Sequence, residues 1–193
     1  TEMVHEQLEK VVQPGDAVID ATCGNGHDAR KLATLTGPTG TLLAIDCQEA
    51  ALSHTRNMLE ALRFCAPQVE YLHGDHAEIL TERCRYEPAA YRAICFNLGY
   101  LPGSDKALVT QAARTIPALR ASVKLLQPRG VLSILAYRGH AGGEEEYDAV
   151  SRWVDEQRSK IFTEVTCHQP RASREGILPP VLWMLKEKSS AFV

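Results

Sequence analysis

The stretch Ala17-Val18-Ile19-Asp20-Ala21-Thr22-Cys23-Gly24-Asn25-Gly26-His27-Asp28-Ala29 decides how the rest of the chain is read. A short apolar run ends on an acid, as a strand buried in a parallel sheet does. Gly24 and Gly26 supply a tight turn and allow a ligand to approach the backbone closely. From Asp28 to Thr36 the pattern becomes helical, so the unit reads strand, turn, helix. The same rhythm then repeats. Thr41 to Asp46 is a second strand that also ends on Asp, and a helix follows from about Glu49 to Arg63. Val69 to His73 and Tyr91 to Phe96 are the third and fourth strands. A long helix is predicted over about Asp105 to Leu126, and Pro128-Arg129-Gly130 then turns into the strand Val131 to Tyr137. A further helix covers Glu144 to Lys160, and Val4 to Val12 forms a short amphipathic helix at the start.

Alternating strands and helices imply a parallel sheet with helices on both faces. The last two strand-like runs, Phe162 to His168 and Val181 to Lys186, have no helical pattern between them, so they form an antiparallel hairpin. The expectation is an α/β, Rossmann-like, seven-stranded, mostly parallel sheet closed by a C-terminal antiparallel hairpin. The 193 residues suit one hydrophobic core, hence a single domain over residues 1–193.

Composition narrows the function. With 45% hydrophobic and 23% charged residues, the chain is neither disordered nor fibrous. Its 24 acidic residues against 21 Lys plus Arg leave a formal charge of −3, which excludes nucleic-acid binding by bulk basicity and leaves it to local patches. Six scattered cysteines with no C-x-x-C pair make neither a disulfide scaffold nor a zinc finger, and point to reduced thiols in the cytoplasm. No apolar run reaches the ~18–20 residues that cross a bilayer, so no membrane role is expected, and the N-terminus does not read as a signal peptide. The chain opens on Thr1 without an initiator Met, so a few native residues are expected to precede it.

In an open α/β sheet, ligands sit outside the carboxyl ends of the strands. The residues just after each strand are therefore the candidates. Gly24-x-Gly26-x-x-Ala29 partly matches the dinucleotide fingerprint. A pyrophosphate at this helix start, however, would meet Asp20 before the turn and Asp28 after it. Two carboxylates suit instead a ligand carrying an ammonium and a sulfonium, and S-adenosylmethionine carries both. Asp46, 26 positions after Asp20 (46 − 20), can accept from both ribose hydroxyls, and Gln48 can add a polar contact. Asp75, in Gly74-Asp75-His76, can accept from an adenine amino group. His73 and His76 have no third ligand beside them, so no metal site is expected.

After the fourth strand comes Asn97-Leu98-Gly99-Tyr100-Leu101-Pro102-Gly103. The side-chain oxygen of Asn97 can accept from a nucleophilic amine, and main-chain carbonyls of the turn can accept a second proton. That arrangement aims a nitrogen lone pair at a methyl carbon, and it resembles the Asn-Pro-Pro-Tyr device of amino-group methyltransferases, with Leu98-Gly99 replacing the prolines. A fifth turn, Tyr137-Arg138-Gly139-His140-Ala141-Gly142-Gly143, offers His140 as a general base or substrate contact. His140, Tyr100 and Asp105 are alternative proton acceptors, as is bulk water. Lys106, Arg138, Arg171 and Arg174 are candidates for phosphate contact, each adding a salt-dependent contribution to RNA binding.

Three strings carry a wider resemblance: Asp20-Ala21-Thr22-Cys23-Gly24-Asn25-Gly26, then Asn97-Leu98-Gly99-Tyr100-Leu101-Pro102-Gly103-x-Asp105-Lys106, then Tyr137-x-Gly139-His140-x-Gly142-Gly143. They resemble, from about residue 4 to residue 187, the bacterial family long labelled rRNA methylases and now understood as tRNA 5-aminomethyl-2-thiouridine methyltransferases, with relatives in plants. The second string is the most specific, because Asp-x-x-x-Gly-x-Gly loops occur across class I methyltransferases. The resemblance implies a class I methyltransferase fold and methyl transfer from S-adenosylmethionine to the aminomethyl nitrogen of a modified wobble uridine, with the tRNA anticodon region as partner. Cofactor roles would fall on Gly24, Asn25, Gly26 and Asp28, on Asp46 and Gln48, and on Asp75 and His76. The segment from Asn97 to Gly103 would face the substrate, including Leu98, Gly99 and Pro102. Methylation of rRNA or of a small-molecule amine is the alternative, and an NAD-linked enzyme on the same sheet a more distant one. With the chain largely used by its sheet, RNA recognition would come from the loops or from a second copy in a homodimer.

Overall fold

Side chains alternate across the inner strands, and each face of the sheet collects its own core. The computed structural model describes residues 2–62, 65–99, 109–158, 160–169 and 178–188. Its elements run α1 (Glu2–Leu8), β1 (Ala17–Asp20), α2 (His27–Thr36), β2 (Thr41–Asp46), α3 (Glu49–Glu60), β3 (Gln68–His73), α4 (His76–Arg83), β4 (Tyr91–Leu98), α5 (Ala112–Leu125), β5 (Leu126–Ala136), α6 (Gly143–Gln157), β6 (Phe162–His168) and β7 (Val181–Glu187). Val18, Leu42, Ala44, Ala93 and Cys95 face α1, α2 and α3, packing with Val4, Leu8, Leu32 and Leu52. Their neighbours Ile19, Leu43, Ile45, Ile94 and Phe96 face the opposite way, against Leu80, Leu119, Val150 and Trp153 of α4, α5 and α6. This is the period-2 alternation of a sheet covered on both sides.

The strand order is β3-β2-β1-β4-β5-β7-β6. Strands β1 to β5 are parallel, and β7 runs antiparallel to both β5 and β6. The Rossmann-like, mostly parallel sheet and the C-terminal hairpin agree with the sequence reading. The place of the hairpin is new information. β7 inserts between β5 and β6, because Val181 to Leu185 form a continuous apolar run, buried throughout, which belongs inside a sheet. β6 exposes Thr163, Glu164, Thr166 and Cys167 and so takes the edge, where polar side chains also discourage pairing with other chains.

Other boundaries differ from expectation. The segment after β3 contains α4, which begins at His76 and is capped by Asp75; its short, weakly amphipathic pattern hid it. The long helix shrinks to α5 from Ala112, with residues 109–111 outside it and 105–108 beyond the described residues. The Pro128-Arg129-Gly130 turn is built into β5 as an irregularity: the pairing with β4 slips between Tyr91 and Ala93, and Arg129 has φ +64°. Five residue steps of β5 span two of β4 there, so the extra residues bulge out of the ladder. Among the described residues no helix is long and apolar enough to cross a membrane.

Candidate active site

The parallel register brings the carboxyl ends of β1 to β5 to one edge, with Asp20 level with Ala44 and Cys95, Asp46 with His73, and Leu98 with Ala136. A cavity of about 440 Å³ opens there, within the range of small-molecule sites. Its floor is the turn after β1. The Cys23 N–H donates to the Ile45 carbonyl (2.9 Å) and the Gly26 N–H to that of Cys23 (2.8 Å). Gly26 starts α2 with φ +82°. The carboxylate of Asp46 reaches across from β2, accepting from the Gly24 N–H at Oδ2 and the Gln48 N–H at Oδ1, both at 2.9 Å. Each oxygen keeps a further lone pair, so the turn is held in shape while the acid remains able to accept from a ligand diol.

Gly26 shows how tight this cradle is. A methyl there would lie 2.9 Å from the Thr55 Cα on α3, in a left-handed backbone conformation as well. Gly26→Ala is expected to lose about 1–3 kcal/mol of stability, through overpacking and strain, and urea denaturation checks this.

Asp75 and His76 form the far wall. Asp75 caps α4, its Oδ1 accepting from the Ala77 N–H at 2.7 Å, and its Oδ2 lies 3.3 Å from the Arg114 guanidinium. His76 packs edge-on against Phe96. Burial pushes its imidazole below the usual range, so it is neutral, and its Nε2 has no hydrogen-bond partner among the described residues. A neutral, desolvated ring nitrogen beside an acceptor acid suits a heterocyclic base better than an anion.

The opposite side is built from the end of β4. The Asn97 N–H donates to the Thr22 hydroxyl at 2.7 Å, and its side-chain amide donates through Nδ2 to Asp28 Oδ2 at 3.4 Å. A carboxylate only accepts, so this contact sets which way the amide lies and leaves Asn97 Oδ1 as the acceptor for a ligand. Asp28 Oδ1 lies 2.7 Å from His5 Nε2 of α1. Beyond Asn97, the Gly99 N–H donates to Thr110 Oγ1 (2.8 Å), and the Thr110 N–H donates back to the Gly99 carbonyl (2.9 Å). Glu146 of α6, only 1% exposed, accepts from the hydroxyls of Thr110 (2.6 Å) and Thr115 (2.5 Å).

That buried carboxylate is a clamp on the mouth of the cavity. Glu146→Gln replaces one acceptor by a donor and releases one of the two threonines. It is expected to reduce stability by about 1.5–3 kcal/mol, and thermal unfolding checks this.

With the geometry in place, the chain can be set beside other proteins. Residues 42–185 match the family described as "Putative rRNA methylase". The chain is a member of this family. The sequence is 37% identical over 160 residues to the chloroplastic tRNA (mnm(5)s(2)U34)-methyltransferase of Arabidopsis thaliana, covering 78% of this chain and 57% of that protein. The chain thus spans little more than half the length of that curated relative. A "putative rRNA-methylase" from Clostridium thermocellum superposes with TM-score 0.86 at 30% identity, covering 96% of each chain. A "putative methyltransferase" from Streptococcus mutans, solved in complex with SAH, superposes with TM-score 0.79 at 36% identity, again over 96% of each. The fold is that of class I methyltransferases.

Within this family fold, the expected residues divide. Gly24, Asn25, Asp28, Asp46, Gln48, Asp75 and His76 meet in the cavity wall, with Asn97, Leu98 and Gly99. Asp20 does not reach the wall. It is 1% exposed beneath the turn, where burial and then the Asp28 charge push its carboxyl well above the usual range. Gly26 is buried against α3, below the surface. His140 also lies off the wall, behind Gly99, whose added Cβ would come 3.7 Å from its Nε2. Arg138 is spent internally: two hydrogen bonds tie it to Glu144, at 3.1 and 2.9 Å, and it stacks over the Tyr147 ring. A guanidinium so paired is a poor phosphate ligand. Tyr100, Pro102, Asp105, Lys106, Arg171 and Arg174 lie outside the described residues. Among the described residues, no group of His, Cys, Asp and Glu could hold a metal ion.

Several wall or support residues carry no assigned role in the sequence reading. Thr22, Thr110, Arg114 and Tyr137 line the cavity, while His5 and Glu146 support it from behind. The strand-end rule could have found Thr22 and Tyr137. Arg114, His5 and Glu146 sit on helices, where nothing local distinguishes them from surface charges.

Proposed function

We propose that this chain transfers a methyl group from S-adenosylmethionine to the amino group of 5-aminomethyl-(2-thio)uridine at the tRNA wobble position, giving the 5-methylaminomethyl product. The observation that carries the reading is the Asn97 amide, held by Asp28 with its oxygen left to accept from an amine. It stands on the same cavity wall as the Gly24 turn and Asp46. The 37% identity to the Arabidopsis tRNA (mnm(5)s(2)U34)-methyltransferase and the SAH complex of the Streptococcus mutans relative support the same reading.

The residues present fit the cofactor. Asp46 would accept from the ribose hydroxyls, Asp75 and His76 would meet the adenine, and the Gly24 turn would face the rest. When bound, S-adenosylmethionine supplies an electrophilic methyl on a sulfonium. The chain's own work is then to exclude water and orient a nitrogen lone pair, since positioning alone can supply a large part of such a barrier. Asn97 Oδ1 would hold one N–H of the amine, and the Leu98 or Gly99 carbonyl would accept another through the lone pair left beside its bond from the Tyr137 or Thr110 N–H. The anticodon region of tRNA, a homodimer and a cytoplasmic setting belong to the same proposal; six free thiols support the last.

The test is mass spectrometry of nucleosides after incubating the protein and S-adenosylmethionine with tRNA that carries the aminomethyl precursor. A gain of one methyl on the wobble nucleoside is the expected result. Methylation confined to rRNA or to free amines would move the function to those substrates.

A further inference from the structure

We propose that Asp28 takes the proton from the substrate ammonium, and that His5 of the N-terminal helix is its positioning residue. This rests on the amine-methylating reading above. An alkylamine is mostly protonated at neutral pH and has no lone pair to offer until a proton leaves. Asp28 is 7% exposed and forms part of the cavity wall. Its Oδ2 meets Asn97 Nδ2 at 3.4 Å, on the same amide whose oxygen is open to the amine. An ammonium received by Asn97 therefore arrives beside a carboxylate oxygen.

The surroundings leave Asp28 as the acceptor. The groups that face it are Asp20 of β1, Cys95 of β4, Tyr137 after β5 and His5 of α1. Burial, and then neighbouring carboxylates, push the Asp20 carboxyl and the Cys95 thiol well up, and burial and then Asp28 raise the Tyr137 hydroxyl. All three shifts favour the uncharged form. His5 remains, and its Nε2 donates to Asp28 Oδ1 at 2.7 Å, turning Oδ2 towards Asn97. α1 packs on α2 and β7 through buried Val4 and Leu8, so the helix carries His5 to this place with its ring a quarter exposed. In the step itself, the N–H bond of the ammonium breaks with its electron pair left on nitrogen, and an O–H bond forms on Asp28 Oδ2. The freed pair would then form the N–C bond to the methyl group as the methyl's S–C bond breaks with its electron pair left on sulfur. Asp28 returns its proton to solvent once product has gone.

The experiment compares wild type, His5→Ala, His5→Gln and Asp28→Asn by rate against pH with the aminomethyl tRNA. Affinity for S-adenosylhomocysteine and thermal unfolding are measured alongside. His5→Ala is expected to lower kcat 10- to 100-fold at pH 7, with S-adenosylhomocysteine affinity within about twofold. The deficit should shrink towards roughly pH 10, where an alkylamine sheds its proton unaided. His5→Gln keeps a donor for Asp28 and should recover most of the rate. Asp28→Asn should lose more than His5→Ala and narrow the gap over the same range. A loss equal at every pH, or wild-type rates in His5→Ala, overturns the assignment of Asp28 and His5 while leaving the function intact. No methylated nucleoside from the wild-type protein overturns both.

Discussion

Asn97→Ala is expected to lower kcat by two to three orders of magnitude while leaving S-adenosylhomocysteine affinity within about twofold. The backbone of Asn97 is tied independently of its side chain, through its N–H to Thr22 Oγ1 at 2.7 Å, so the end of β4 keeps its place after truncation. Only the amide is lost, and with it the acceptor that fixes the orientation of the amine. Small losses of alignment at a reacting centre cost about a hundredfold, and removal of one preorganised polar group costs about 10²- to 10³-fold. The amide also shields Asp28 Oδ2, and its removal lets water in. Single-turnover kinetics with saturating cofactor read the effect directly. A rate within threefold of wild type would remove Asn97 from the reaction.

Asp46→Ala should act on the cofactor. Its carboxylate holds two backbone N–H groups, of Gly24 and Gln48, each at 2.9 Å. Hydrogen bonds to a charged group contribute about 1.5–3 kcal/mol each. Losing both unpins the glycine turn, and the proposed ribose contacts go with them, so affinity for S-adenosylhomocysteine is expected to fall at least a hundredfold. Asp46→Asn is a sharper version. An amide offers one acceptor oxygen and sets its NH₂ against the other N–H, so it cannot serve both partners, and a loss of about tenfold or more is expected. Calorimetric titration of folded variants settles both. Unchanged affinity in either would take Asp46 out of the cofactor site.

Much of the site was legible because strand ends are legible. The apolar runs that close on Asp20, Asp46, His73 and Asn97 are local patterns, and parallel pairing necessarily places their ends on one edge. Charge could be read locally too, since Asp20 and Asp28 flank the glycine turn in sequence. The reading stopped at the division of labour between them. Both looked like walls for a cation, yet Asp20 is sealed under the turn and Asp28 alone reaches the cavity. Arg138 likewise looked free, until α6 brought Glu144 and Tyr147 to it.

By itself, the order of apolar runs, glycine turns and terminal acids determined a mostly parallel sheet with helices on both faces. It also determined the edge where a ligand would lie and the adenosine-type chemistry of that edge. Tertiary structure decided the rest: β7 between β5 and β6, the contact of His5 with Asp28 across 23 positions, that of Asp28 with Asn97 across 69, and the Glu146 clamp across 36. Periodicity reports which face of its own element a side chain occupies. Partners brought together by packing separate elements leave no local period, because their meeting depends on how the two cores fill.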